Sequence, residues 1–384
     1  MSRGSDRDAM AERIDYGIIG CGMMGQEHLR NIALLPDSNV AAILEPDRAM
    51  RDAALALAPN ATAVESVSQL VAMSDCIVIA SPNPLHLGQL EEIGAARAVP
   101  VLVEKPLFTQ PDDLARLQRF QSEFAAPVWV AMEYRYMPPI AAFLQRLGDA
   151  TGGLKMLTIR EHRFPFLDKV GAWNRFNRSS GGTLVEKCCH FFDLMRLAVD
   201  SEPVRIMASA GQAVNHLDER YGDETPDIWD NAYVIVEFAN GCRAMLELCM
   251  FAEGSRYQEE ISAVGPRGKI EVLVPGPGRF WPADLGAPPV AQLIESPRHP
   301  KNPVLLDVPV DEALLEAGDH NGATFYQHQR FQAVVRGATQ PEVTIQDGMR
   351  AVQMGLAAQQ SAMTGRAVDL DFSGSDPATV SMGH

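Results

Sequence analysis

The feature that most constrains the fold is Gly20-Cys21-Gly22-Met23-Met24-Gly25, a GxGxxG that follows the apolar run Tyr16 to Gly20 and opens a helical stretch from Gln26 to Leu35. Between a strand and a helix, such glycines permit a tight turn and close backbone approach. The helix N-terminus then offers unpaired N–H groups to a pyrophosphate. The next apolar run, Val40 to Leu44, ends at Glu45, twenty residues after Gly25. A carboxylate there can accept hydrogen bonds from an adenosine ribose and would repel a ribose phosphate. The pattern predicts a site for NAD, with NADP less favoured, built from Gly20, Gly22, Met23, Met24, Gly25 and Glu45, with Arg48 nearby.

Short apolar runs continue to alternate with amphipathic helical stretches, which predicts parallel strands with crossover helices. We read residues 14–134 as an α/β domain, a doubly wound Rossmann sheet. In open parallel sheets ligands lie beyond the carboxyl ends of the strands. That rule places Ser81, Pro82, Asn83, Glu104 and Lys105 at the cofactor crevice. His86 reads equally as a cofactor contact or as a residue packed beneath it.

Residues 135–372 change texture, to strand-like runs from Lys155 to His162, Val204 to Gln212, Asn231 to Phe238, Arg243 to Phe251, Gln258 to Val264 and Lys269 to Val274. Turn signals such as Ala239-Asn240-Gly241 join them, which predicts an α+β domain with an open-faced, mostly antiparallel sheet. One helix is expected from Thr183 to Val199, another from Ile345 to Thr364, and a surface excursion from Pro275 to Pro289. The polar ends, 1–13 and 373–384, read as flexible tails.

With 33 Lys+Arg against 49 Asp+Glu the chain carries a formal charge of −16, which argues against nucleic acid and anionic membranes as partners. It lacks the roughly 20-residue apolar run of a membrane span and a signal-like start, so a cytoplasmic location is expected. Six cysteines without a CxxC pair read as reduced and structural. Cys188-Cys189 beside Glu186 and His190 suggests metal ligation, but adjacent helical residues point about 100° apart and reach one ion poorly, so no metal is expected.

The glycine motif with His28, Pro82-Asn83 with His86, and above all Glu104-Lys105-Pro106 resemble the glucose-fructose oxidoreductase / inositol dehydrogenase family (Gfo/Idh/MocA). The likeness continues through Gly181-Gly182, Glu186, His190 and Asp193 to the stretch from Asp347-Gly348 to Gly365-Arg366. It implies a Rossmann domain, a C-terminal open-faced sheet, and a homodimer or homotetramer built through that sheet. It also implies that Lys105 and an Asp-x-x-x-His pair carry catalysis. Here Glu186 stands where the family has Asp, and His190 completes the pair.

Glu186, His190 and Asp193 recur at i, i+4 and i+7, on one side of a helix whose other stripe is apolar. Oxidising an alcohol needs a base for the hydroxyl proton while hydride leaves the same carbon, and His190 suits that task, with Glu186 to orient it. Lys105 can stabilise the developing alkoxide. An exposed helix pair is the bland alternative for Glu186 and His190. Asp193 reads as a packing residue.

Candidate substrate contacts are Lys105, Tyr134, Arg163, Trp173, Asn177, His190 and Tyr326, polar and aromatic groups suited to a polyhydroxylated ring. The expected function is an NAD-dependent dehydrogenase acting on a secondary hydroxyl of a sugar, sugar derivative or inositol-like polyol. An NAD-dependent glycosidase with a tightly held cofactor, and a non-catalytic nucleotide-binding sensor, are the alternatives.

Overall fold

The computed structural model describes residues 13–372, so the expected flexible tails lie, except for Arg13, outside the described residues. The first half alternates strands and helices: β1 Ile14–Ile19, α1 Met23–Ala33, β2 Ser38–Leu44, α2 Arg48–Leu57, β3 Thr62–Ala63, α3 Val67–Ala72, β4 Cys76–Ile79, α4 His86–Ala96, β5 Val101–Val103, α5 Asp113–Glu123 and β6 Val128–Val130. All six strands pair in parallel in the order β3-β2-β1-β4-β5-β6. Every residue of β4, β5 and β6 is buried, as a sheet covered by helices on both faces requires. The order reverses between β1 and β4, which opens a crevice beyond their carboxyl ends.

The chain continues through α6 Pro138–Thr151, β7 Met156–His162, α7 Asn177–Ser180, α8 Thr183–Glu186, α9 Cys189–Val199, β8 Pro203–Gly211, β9 Asn231–Phe238, β10 Arg243–Cys249, β11 Glu259–Val264, β12 Gly268–Val274, β13 Ala291–Pro297, β14 Val304–Val308, α10 Glu312–Ala317, α11 Ala323–Val335, α12 Ile345–Thr364 and β15 Val368–Asp369. Nine strands form one sheet in the order β14-β13-β12-β11-β7-β10-β9-β8-β15, antiparallel except where β7 meets β10. Alternation along β10 and β12 buries one side chain in two. The buried face packs against α6, α9 and α12, while Tyr233 and Ile235 on β9 remain exposed. The segment 275–290 leaves the sheet between β12 and β13, as a Pro/Gly-rich stretch should.

Three features depart from the sequence reading. The helix expected from Thr183 to Val199 is broken at Lys187 and Cys188, where the Cys188 N–H turns back to Thr183 O at 3.4 Å. Strands β13 and β14 were not foreseen, because their borders lie among prolines that mask the alternation. The last helices also return to the first sheet: α11 packs on α1, and the Val130 N–H of edge strand β6 bonds Val343 O at 3.1 Å.

Helix α12 crosses α8 closely at Gly355, where an added Cβ would stand 2.5 Å from Leu184 O. Gly355→Ala is expected to lower the unfolding free energy by about 1–3 kcal/mol. Gly88→Ala in α4, with nothing within 4 Å of the new methyl group, should be neutral or gain about 0.4–1 kcal/mol. Urea denaturation of both variants checks this, and equal stabilities would contradict the close crossing.

Candidate active site

At the nucleotide end, Gly20 adopts φ +84°, and a Cβ there would meet Ser81 N at 2.5 Å. A Cβ on Gly25 would fall 2.1 Å from Gly20 O, whereas Gly22 faces open space. The first two glycines named are needed for the turn, and the third leaves room for a ligand. Helix α1 begins without a side-chain cap or an acidic first turn, and the N–H groups of Met23, Met24 and Gly25 have no acceptor among the described residues. These free donors fit a pyrophosphate.

Glu45 is buried at the end of β2, where its carboxylate accepts from the Cys21 N–H at 2.7 Å and the Asp47 N–H at 2.8 Å. It therefore locks the glycine turn to the second strand and retains free lone pairs. Arg48 points away, 88% exposed and 3.7 Å from Asp52. Ser81 donates to Gln89 at 2.6 Å, and the buried Asn83 beside Pro82 carries an enclosed Nδ2 without a partner among the described residues.

Two expected crevice contacts turn inward. His86 is buried between Pro106 O at 2.8 Å and Ser81 O at 2.9 Å, so it ties two strand-end loops together from beneath. The Glu104 carboxylate, also buried, meets His28 Nε2 at 3.0 Å and the Lys105 N–H at 3.2 Å. His28 Nδ1 in turn lies 2.8 Å from His328 Nε2. Its side chain is engaged within the protein rather than presented to a nucleotide.

Lys105 reaches across from the end of β5 and donates through Nζ to Glu186 O at 3.2 Å. Lys105, Tyr134, Arg163, Glu186 and His190 line one cavity of about 120 Å³, together with Met23 and Met24 from the glycine turn. His190 is buried, and neither ring nitrogen has a hydrogen-bond partner among the described residues; its Nδ1 is fully enclosed. Burial, reinforced by Lys105 and Lys187, holds its pKa well below the ordinary value, so the imidazole is neutral near pH 7. The Tyr134 ring stacks on it at 4.2 Å and 8°. Glu186 does not hydrogen-bond His190, contrary to the orienting role expected from spacing, because the break at Lys187 separates their helices.

Other expected contacts lie elsewhere. Asn177 is fastened to Asp227 through its N–H at 2.7 Å and its amide at 3.0 Å. Trp173 and Tyr326 do not line the cavity, and Tyr326 packs edge-on to Phe325. Asp193 forms a two-pronged pair with Arg135, in line with a packing role.

Further charged groups complete the cavity, among them His320, which reads from sequence as equally structural or substrate-binding, and Glu259, which sequence reasoning missed. Lys187 lies 2.8 Å from Glu161 and donates to Tyr134 Oη at 2.5 Å. Glu259 stands opposite Glu161 across β11 and β7; burial and that neighbour push it up to about 7. His320 sits between Glu27 at 2.8 Å and Glu133 at 3.5 Å. Burial would lower its pKa, but the two carboxylates outweigh it and hold it at about 9. Only a strand register of Glu161 against Glu259 could have signalled any of these contacts, and register is not written in one strand alone.

The fold and the cavity define a two-domain oxidoreductase with a Rossmann nucleotide site. Residues 14–132 match the oxidoreductase family, NAD-binding Rossmann fold, and residues 149–370 match the oxidoreductase family, C-terminal alpha/beta domain. The chain belongs to the Gfo/Idh/MocA oxidoreductase family. It is 24% identical over 261 residues to an inositol 2-dehydrogenase of Rhizobium meliloti (strain 1021), covering 67% of this chain and 74% of that one. An uncharacterized oxidoreductase of Bacillus subtilis (strain 168), YrbE, is 24% identical over 94% of this chain and 98% of its own. The scyllo-inositol dehydrogenase of Lactobacillus casei, solved with NAD(H) and scyllo-inositol, superposes with a TM-score of 0.72 at 18% identity, covering 93% and 99% of the two chains.

Burial raises Glu186 to about 7, against the pull of Lys105, Lys169 and Arg163. The folded protein thus binds this proton more tightly than the unfolded chain. The stability linked to it is complete below the ordinary value of 4.5 and is lost as pH rises through about 7. Glu186→Gln stays neutral, so its melting temperature should gain on the parent's between pH 4.5 and about 7. Calorimetry across that window checks this, and a gap that does not vary with pH would show that Glu186 ionises freely.

Proposed function

We propose that the protein is an NAD-dependent dehydrogenase that oxidises a secondary hydroxyl of a sugar, sugar derivative or inositol-like polyol. The observation that carries this reading is the shared cavity, in which Lys105 and His190 from different halves of the chain stand beside the start of the glycine-turn helix. The relatives named above as inositol dehydrogenases, one of them solved with NAD(H) and scyllo-inositol, support the substrate class. NAD is favoured over NADP because Glu45 presents a carboxylate where an added ribose phosphate would sit.

NAD, when bound, supplies the acceptor for the hydride that leaves the substrate carbon. The residues of the chain handle the proton and the oxygen. The neutral His190 imidazole accepts the hydroxyl proton, and the Lys105 ammonium donates a hydrogen bond to the oxygen as negative charge develops on it. Tyr134 holds the imidazole plane by stacking, and Glu186 can compensate the imidazolium that forms. The exposed Tyr233 and Ile235 on the open sheet face suit assembly into a homodimer or homotetramer.

Lys105→Ala and His190→Ala are each expected to lower kcat/KM by at least about 100-fold. NAD affinity, followed by protein fluorescence, should be unchanged. The assay is NADH absorbance with a panel of inositols, hexoses and anhydrosugars, with NADP run beside NAD. Near-parental rates in both variants would refute the assignment, and turnover without net NADH would favour the glycosidase chemistry instead.

A further inference from the structure

The chain is strongly acidic overall, yet its catalytic cavity is lined by Lys105, Arg163, Lys169 and Lys187. Most of the charges there are already matched. Lys187 lies 2.8 Å from Glu161. On the acidic side, Glu27 meets His320 at 2.8 Å and Asp319 pairs with Arg279 at 2.5 Å. Lys105 is held by Glu186 O and assigned to the reacting oxygen.

Two cations lack a close carboxylate of their own, and the Glu186 carboxyl is the acidic group of the cavity that attracts both. The carboxylate nearest Arg163 is Glu161, at 3.7 Å, and that oxygen already receives Lys187. The single hydrogen bond of its guanidinium is Nε to Phe164 O at 3.2 Å, which leaves the outer fork free. The Lys169 ammonium has no hydrogen bond and no ion pair among the described residues, although its backbone carbonyl accepts from the Ala172 N–H at 2.9 Å. Both side chains come from the segment between β7 and α7 and line the cavity, near enough for Arg163 to act on the Lys169 charge. Burial, followed by the nearby Lys105 and Arg163, depresses the Lys169 pKa despite the attraction of Glu186. Two half-buried cations without a close carboxylate of their own, lining one cavity, favour an anion arriving with the ligand.

We propose that Arg163 and Lys169 form a receptor for a carboxylate carried by the substrate, so that the compound oxidised is a sugar acid rather than a neutral polyol. This rests on the dehydrogenase reading for the fate of the hydroxyl, while the anion seat stands on these two cations alone. The planar guanidinium fork matches a carboxylate. A phosphate would bring up to two negative charges beside the Glu186 carboxyl, which a single carboxylate avoids.

The NAD-loaded protein is assayed with glucuronate, galacturonate and gluconate against glucose, galactose and myo-inositol, with glucose 6-phosphate as a separate arm, all at equal ionic strength. A sugar acid is expected to show a KM at least about tenfold below its neutral counterpart. Lys169→Gln should raise that KM about tenfold or more and leave the KM of the neutral sugar unchanged, whereas Arg163→Gln should raise the KM of the acid by a larger factor than that of the neutral sugar. Lys169→Gln removes no side-chain hydrogen bond or ion pair among the described residues, so it keeps the test valid if Arg163→Gln fails to fold. NADH formation from neutral compounds with no advantage for the acids, or a preference for the phosphate, overturns the inference and leaves the dehydrogenase reading intact. If no compound yields NADH, that reading fails instead, and calorimetric titration with the same acids decides the receptor. Binding that Lys169→Gln abolishes supports it, and absence of binding refutes it.

Discussion

The hydrogen bond from Lys105 Nζ to Glu186 O joins the two halves of the chain at the point where chemistry is proposed, and much of the surrounding structure serves to aim it. Lys105 follows a three-residue strand, too short to fix a long side chain by itself. Its neighbour Glu104 supplies the missing rigidity. The Glu104 carboxylate receives the Lys105 N–H and is gripped from below by His28 of α1, which meets His328 of α11. If His28 donates Nε2–H to Glu104, its Nδ1 accepts from His328, which leaves a lone pair on the enclosed His328 Nδ1. An unpaired acceptor there costs less than an unpaired N–H donor, so the relay has a consistent direction. Because α11 lies near the C-terminal end of the chain, the last helices are part of what positions a residue at position 105.

The partner group is fixed by different means. Among the described residues His190 donates no hydrogen bond to a carboxylate, so its orientation comes from the stacked Tyr134 ring and from the helix that carries it. One turn further along that helix, Asp193 clamps Arg135, the residue next to Tyr134. Stack and clamp thus act on the same two segments, and together they hold the imidazole plane while both ring nitrogens stay free of protein partners. A base that must release its proton again gains from such freedom, since no internal acceptor competes for it.

The layout of the first half was legible because its signals are local: glycines at fixed spacing, a carboxylate twenty residues on, and apolar runs bounded by turns. Lys105 follows a recognisable strand and His190 stands in the first turn of a helix, so local signals placed each on its element. Where the sequence reading fell short, the deciding contacts are long-range. Glu104 stands at the expected strand end, but His28, the partner that draws it inward, becomes visible only once the helices are packed, while for His86 the structure favours the second of its two readings, packing beneath the crevice. Asn177 has a suitable side chain in a suitable segment, yet Asp227, fifty residues away, occupies it. The break at Lys187 was hidden because both its residues keep helical backbone angles, so no glycine or proline marks it.

That break gives Lys187 a physical meaning. A lysine buried to 5% exposure in a continuous helix would strand its charge, but the turn carries it to Glu161, with Glu259 opposite on the next strand. Two buried carboxylates facing each other repel unless a cation or a proton intervenes, and here both operate: Lys187 sits at Glu161 while Glu259 is raised to about 7. Lys187 also donates to Tyr134 Oη, so the charge that reconciles the two strands supports the ring stacked on His190. Replacing it by a small residue would leave a buried carboxylate pair and release the tyrosine together. The sheet, the helix break and the His190 imidazole are therefore coupled through a single ammonium group.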